Sequence, residues 1–223
     1  MSRGKLIVIE GLDGSGKATQ TKLLCEKLKS KGKSVCKLSF PDYNEPSSVL
    51  VKMYLNSEFG SGPEDVNAYA ASSFYAVDRY ASYKKFWKDK YENGQFIVAD
   101  RYTTSNAIYQ LGRLDKSLWD EYINWLEDYE YNKLGLPKPD LVIYLSMPVE
   151  ISQQFMTKRY DGNESKKDIH EKNIEFLNNC RKTSLYAAER LGWKVIPCSE
   201  NGIPKTINEI NNVIESLIEE VIS

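Results

Sequence analysis

The chain has 223 residues, which against a prior of roughly 150 residues per domain makes one large domain or two small ones. Its 41% hydrophobic and 27% charged residues suit an ordinary globular protein, and 30 Lys and Arg against 31 Asp and Glu leave a formal charge of −1. Disorder and a basic nucleic-acid-binding surface are therefore not expected, and an anionic partner must be met by a local cluster of cations. The single histidine, His170, argues against a histidine metal site or a histidine-driven triad.

In chain order, short apolar runs at residues 6–9, 35–40, 96–99, 141–145 and 194–196 predict five strands. They alternate with longer helix-like stretches, the pattern of βαβ units in a parallel sheet with helices on both faces. Leu24 and Leu28 lie one turn apart before a stop at Gly32, residues 65–92 make one long helical stretch closed by Gly94, and Gly192 precedes the last strand. Pro63 and Pro148 each open a helix. No repeat or linker interrupts the chain, so one domain spanning 1–223 is expected. Cys25, Cys36, Cys180 and Cys198 form no CxxC pair and read as reduced thiols. With no apolar stretch of membrane-spanning length and no leader, the expectation is a complete, cytoplasmic chain.

The strongest local signal is Gly11-Leu12-Asp13-Gly14-Ser15-Gly16-Lys17, directly after the first strand and opening the next helix. In a phosphate loop of this kind glycines let successive N–H groups converge on one anion, the helix N-terminus adds positive charge, and the lysine reaches terminal phosphates. The next residue is Ala18, where a Ser or Thr usually holds Mg2+, and Thr19 is turned about 100° away around the helix. Among phosphate-loop proteins, a switch GTPase lacks its guanine-reading motif here, because Asn132-Lys133-Leu134 runs into Gly135. A motor ATPase would carry partner-binding domains for which the chain has little room. A small-molecule kinase needs a second anion site facing the loop. Asp100-Arg101-Tyr102 supplies a candidate at the carboxyl end of the third strand, where ligands bind such sheets. After it, Asn106, Tyr109 and Gln110 share a helix face that could meet a sugar and a base, while Tyr75 and Arg79 set an aromatic ring one turn from a guanidinium. Ordinary helix packing with a snorkelling cation is the competing reading of that last pair.

With Glu10 through Lys17, Phe40-Pro41-Asp42-Tyr43, Tyr75 through Arg79, and Asp100 through Gln110 in this order, most of the chain resembles the bacterial thymidylate kinases. The resemblance implies an ATP-dependent dTMP kinase with a five-stranded parallel sheet of the P-loop NTPase fold, a short mobile lid and a homodimeric state. It implies that residues 11–19 and Arg181 serve ATP, and that Asp13 lies near the sugar hydroxyl. Tyr75 would stack on thymine, Arg79 read a carbonyl, Arg101 bind the acceptor phosphate, and Asn106 meet the base. Tyr109 would crowd the 2′ position, with Phe40, Tyr43, Ser105 and Gln110 completing the substrate site. Catalysis would rest on Asp13, Lys17, Arg101 and a lid cation, with Mg2+ reached by Asp100, directly or through water.

Two departures matter. Many members hold the monophosphate with an arginine in the Phe-Pro turn, where this chain has Asp42 and Tyr43; acceptor binding then leans on Arg101, with Lys52 as a candidate helper. Glycine at position 14, in place of an arginine, resembles the type that brings catalytic charge from the lid, here residues 158–168 with Arg159, Lys166 and Lys167. His170 reads as surface. Two rivals stay open: a deoxynucleoside kinase, for which Glu10 or Asp13 would be the base, and a regulatory protein that binds nucleotide without turning it over.

Overall fold

Alternation along the first strand decides the architecture. In β1 (Leu6–Gly11), buried along its whole length, Leu6 and Val8 join one apolar cluster while Ile7 and Ile9 join another, so both faces of the strand need cover. The computed structural model describes residues 3–60, 65–160 and 173–222 and shows that cover. Five parallel strands run in the order β2-β3-β1-β4-β5, where β2 is Val35–Ser39, β3 Phe96–Asp100, β4 Leu141–Ser146 and β5 Lys194–Pro197. This is the expected α/β sheet of the P-loop NTPase fold, with strand ends shifted by one or two residues. β1 lies at the centre, with Ile9 opposite Asp100 on one side and Ile143 on the other.

On one face lie α1 (Lys17–Ser30) and α9 (Ile207–Ile222). Leu24 and Leu28 of α1, and Ile210, Ile214 and Ile218 of α9, recur at helical spacing and close over Ile7, Ile9, Val98 and Ile143. The other face is larger and aromatic. It is covered by α3 (Ala68–Ser82), α4 (Lys88–Glu92), the short α5 (Asn106–Tyr109), α6 (Trp119–Glu127) and α8 (Ile174–Leu191). Two smaller helices, α2 (Val49–Leu55) and α7 (Val149–Arg159), flank the carboxyl edge of the sheet. Pro148 stands at the N-cap of α7, as its fixed φ suggests.

The long helix expected over 65–92 is divided. It starts at Ala68, where the Asn67 side chain accepts from the Ala70 amide at 2.8 Å, and it passes into α4 through a π-helical turn, Tyr83–Trp87. The wider turn sets Trp87, fully buried, among the rings of Tyr83, Tyr91 and Tyr102. Pro63 lies outside the described residues. A second π turn, Asp128–Lys133, follows α6, and a two-residue hairpin, β6 (Ser199–Glu200) with β7 (Ile203–Pro204), precedes α9; the sequence reading anticipated neither. Asn201 and Gly202, both at positive φ, make the hairpin turn, and an Asn-Gly pair is the signal that could have marked it.

Because Leu28, in the last turns of α1, is buried against the sheet, Leu28→Ala is expected to destabilise the fold by about 2–5 kcal/mol. Urea denaturation checks this; an unchanged midpoint would contradict the packing described.

Candidate active site

β1 ends at Gly11, and the loop to α1 is made by glycines at Gly14 (φ 81°) and Gly16 (φ 91°), conformations that side-chain-bearing residues rarely adopt. α1 begins at Lys17 with no acidic residue in its first turn and no side-chain cap, which leaves its amides to an anion. Lys17 Nζ lies over the loop, donating to the Leu12 carbonyl at 3.0 Å and standing 3.6 Å from Asp13 Oδ1. Burial, and then Arg101, push its pKa down. Ser15 Oγ is buried with no hydrogen-bond partner among the described residues.

The end of β3 meets this loop. Arg101 adopts a left-handed backbone (φ 67°), its amide donating to the Ile9 carbonyl at 3.1 Å, and its guanidinium pairs with Asp13 rather than with its neighbour Asp100. Tyr109 joins them: its hydroxyl accepts from Arg101 at 3.1 Å and donates to Asp13 Oδ2 at 3.1 Å, and its ring lies 5.0 Å from the guanidinium carbon. Burial alone would raise the Asp13 pKa, but Arg101 and Lys17 hold it well below the usual carboxylate range. Burial drives the Tyr109 phenol well up despite Arg101, so it remains a hydrogen-bond donor.

Behind these groups stand carboxylates with a structural part that the sequence reading does not foresee, since it names Glu10 only as a base for the rival kinase. Glu10 is fully buried; its Oε1 accepts from the hydroxyls of Thr104 and Ser105, both at 2.7 Å, and from the Tyr102 amide at 3.3 Å. It is thus a tether for the turn after Arg101 through Oε1, while Oε2 takes only a long bond from the Gly11 amide at 3.4 Å. Asp78 accepts from the Asp42 amide at 2.9 Å and the Ser47 hydroxyl at 2.6 Å, which fixes the turn at residues 40–43.

A third buried carboxylate organises the far end. Arg79 is not a snorkelling surface cation: it is buried and forked onto Glu130, Nη2 to Oε1 at 2.6 Å and Nε to Oε2 at 2.8 Å. Burial opposes its charge, but Glu130 outweighs that and moves its pKa up. Asn106 Nδ2 donates to the same Oε1 at 3.1 Å. Gln110 is held through its Oε1 by Arg113 at 2.7 Å, and Arg113 also reaches the Tyr54 hydroxyl at 3.2 Å, binding α2 to this end of the site.

The thymidylate kinase family model matches residues 9–210. The chain belongs to the thymidylate kinase family. It is 30% identical over 191 residues to a thymidylate kinase of Mycobacterium tuberculosis, covering 84% of this chain and 87% of that protein. It is 28% identical over 224 residues to the thymidylate kinase of Danio rerio, covering 99% and 92%. A solved thymidylate kinase structure from Candida albicans superposes with a TM-score of 0.73 at 25% identity, over 99% of this chain and 93% of that one. These relatives span bacteria and eukaryotes, so what they show is membership of the family at large.

In this family member one cavity of about 400 Å³ runs from the phosphate loop to Arg79. Asp13, Gly14, Gly16, Lys17 and Ala18 line it at one end; Arg101, Ser105 and Tyr109 stand at its middle. Phe40, Tyr43, Tyr75, Arg79, Asn106 and Gln110 line the rest, with Arg159 and Tyr160 at the rim. Gly11, Leu12 and Ser15 belong to the loop but not to the lining. Three sequence-based candidates fall elsewhere: Thr19 is on the exposed side of α1, Lys52 is exposed on α2, and Arg181 is outside the lining, its Nε buried without a partner among the described residues. Lys166, Lys167, His170 and most of the expected lid lie outside the described residues. Asp100 lines the cavity, and among the described residues no three His, Cys, Asp or Glu side chains cluster to form a metal cage. That donor set fits Mg2+, which leans on one or two carboxylates, phosphates and water.

Gly14 packs against the start of α7, where an added Cβ would be driven into the Ser152 carbonyl oxygen. An arginine there would meet the same obstacle. Gly14→Ala is therefore expected to lower the melting temperature and to raise the KM for ATP; normal values for both would contradict the loop geometry.

Proposed function

We propose that this enzyme transfers the terminal phosphoryl group of ATP to the phosphate of dTMP, giving dTDP. The observation that carries the reading is the continuity of the cavity: a phosphate loop, an arginine anion site and a donor-acceptor pair suited to a base share one space of about 400 Å³. Phosphoryl transfer needs two anions brought into line and their charge offset, with little covalent work for the protein. Lys17 and the loop amides would hold the donor phosphates. Arg101 would hold the acceptor, exchanging part of its contact with Asp13 for the substrate phosphate. Tyr75 offers a ring to the base, and Tyr109 is placed beside Asp13 to exclude a 2′ hydroxyl.

Asp100 is the lining carboxylate left to hold Mg2+, the role Ala18 cannot fill. When bound, Mg2+ would add positive charge between the phosphates. Arg159 would bring the lid cation, with the lid at about residues 158–168, and Arg181 would approach ATP from α8. We also propose one kinase domain, acting as a homodimer in the cytoplasm. Exposed Val49 of α2 and Val77 and Tyr80 of α3 supply apolar surface for pairing, and among the described residues no helix is long and apolar enough to cross a membrane.

The site disfavours the deoxynucleoside kinase reading. A nucleoside hydroxyl needs a general base, yet Glu10 is buried beneath the turn and does not line the cavity, and Asp13 is bound to Arg101 with its pKa held down. A phosphate monoester, with a second pKa near 6, needs none at neutral pH. Purified protein with ATP and Mg2+ should form ADP with dTMP and not with thymidine; ADP only with thymidine, or with neither, would overturn the reading. Lys17→Ala should lower kcat by roughly a hundredfold or more with folding intact, because a charge used in the transition state is removed; near-normal turnover would contradict the loop's role. The lowered Asp13 pKa means its charge persists through mild acid. The kcat/KM for dTMP should therefore fall with one apparent pKa of about 6, that of the substrate phosphate. A limb centred near the usual carboxylate range would assign the titration to a protein acid instead.

A further inference from the structure

Glu130 is fully buried and takes hydrogen bonds from both residues placed to read a base. Its Oε2 accepts from Arg79 Nε, and its Oε1 accepts from Arg79 Nη2 and from Asn106 Nδ2. The other Asn106 amide hydrogen goes to the Ser72 backbone carbonyl at 3.2 Å. Both partners of Nδ2 are acceptors only, so the amide has one orientation open to it: turned over, it would set Oδ1 against two oxygens. What Asn106 has left for a ligand is Oδ1, an acceptor. Arg79 can only donate, and beyond its bonds to Glu130 and a long one to the Tyr102 carbonyl (3.4 Å) it keeps N–H groups on Nη1 and Nη2. Both residues line the cavity, so together they present a donor beside an acceptor.

Thymine matches that pair with its O4 carbonyl beside N3–H. Cytosine has the same ring size but offers the reverse, an amino group beside an acceptor nitrogen. We infer that Glu130 is a positioning residue that makes this site select thymine over cytosine, by fixing Asn106 as acceptor and Arg79 as donor from behind. The inference rests on the dTMP kinase reading above and names what enforces base choice within it. A purely structural ion pair would need only Arg79; the bond to Asn106 is what sets polarity toward the base. A base of the wrong pattern leaves buried groups facing like groups, the kind of mismatch polar sites reject most strongly.

The local backbone explains how an acid in the polar run Asp128–Lys133 comes to be inside. Glu130 follows Leu126 by four residues and Ile123 by seven and so continues the buried face of α6, while Asp128 and Lys133 pair with each other at 2.6 Å on the outside.

The test is Glu130→Gln, with Kd by calorimetry and kcat/KM measured for dTMP and for dCMP. Glutamine keeps the shape but has one acceptor oxygen, so its NH2 must face either Arg79 Nε or both Arg79 Nη2 and Asn106 Nδ2. The expected result is that the preference for dTMP over dCMP narrows by about tenfold or more, with the KM for ATP unchanged. Glu130→Asp, which keeps two acceptor oxygens, should retain dTMP as the better ligand. A preference that stays at the wild-type value in Glu130→Gln, whether both affinities hold or fall together, overturns the inference and leaves Glu130 a structural partner. Should that variant fail to fold by circular dichroism, the wild-type complex with dTMP decides. Its crystal structure should keep Asn106 Nδ2 on Glu130 and Ser72 with thymine N3 at Oδ1; an amide that has left both partners overturns the inference. Wild-type protein with no dTMP turnover overturns the functional reading and this inference together, whereas an unchanged preference overturns the inference alone.

Discussion

The Arg101 amide donates to the Ile9 carbonyl at 3.1 Å, one last rung between β3 and β1, and at that residue the chain turns into left-handed backbone. Such a conformation costs a non-glycine residue about 1–3 kcal/mol and persists where surrounding contacts over-determine it. Here the rung fixes the backbone, Asp13 holds the guanidinium, and the Tyr109 ring covers it. The adjacency comes from the sheet itself. Because β1 lies between β3 and β4, with Ile9 opposite Asp100, the phosphate loop and the Arg101 turn emerge side by side at one carboxyl edge. The two proposed anion sites, contributed by distant parts of the chain, are thereby held at a separation set by strand spacing rather than by flexible loops.

Positive charge at this edge is arranged by acids that are buried or, for Asp13, half-buried. Asp13 holds Arg101, Glu130 holds Arg79, Glu10 ties down the turn after Arg101, and Asp78 ties down the turn at residues 40–43. Two of these acids neutralise a cation locally, and two act as acceptors for backbone and hydroxyl groups. This is how a chain of formal charge −1 can gather Lys17, Arg101 and Arg79 along one cleft without a basic surface. It also explains why substituting Arg79 is a poor probe of its proposed contact with substrate: truncation would strand the Glu130 carboxylate in the interior, and that loss would mix with any loss of binding.

Strand positions were legible because buried parallel strands are continuous apolar runs, and the phosphate loop because glycines, lysine and the preceding strand leave few alternatives. The cavity residues drawn from helix faces, Tyr75 with Arg79 and Asn106 with Gln110, were legible as neighbours, since spacing by three or four residues decides a shared face. Their partners were not. Glu130 lies in a polar run, and although it falls four residues after Leu126 and seven after Ile123, on the buried face of α6, nothing in composition names Arg79 and Asn106 as the donors it meets there. Glu10 did leave a signal. It continues the alternation Leu6, Val8, Glu10, which puts a carboxylate on the core face of β1, where it must find donors. Asp78 left none, because its partners, the Asp42 amide and the Ser47 hydroxyl, are brought to it only by the tertiary fold.

The Arg79–Glu130 pair raises the question of why two charges are buried at all. Removing both from water is costly, and an apolar pair of the same volume is often as stable or more so. Stability alone therefore gives a weak account of it. An apolar pair, however, would leave Asn106 Nδ2 with one acceptor instead of two and would remove the donors that face the cavity. Leucine in place of Glu130 could pack, yet the amide of Asn106 could then turn over, losing its bond to Ser72 and gaining another from whichever base entered. The desolvation cost is thus tied to a single hydrogen-bonding polarity at the end of the cavity. The fold can pay it because the pair is fully forked, and because the surrounding aromatic core of Tyr102, Tyr122 and Trp87 excludes the water that would otherwise compete.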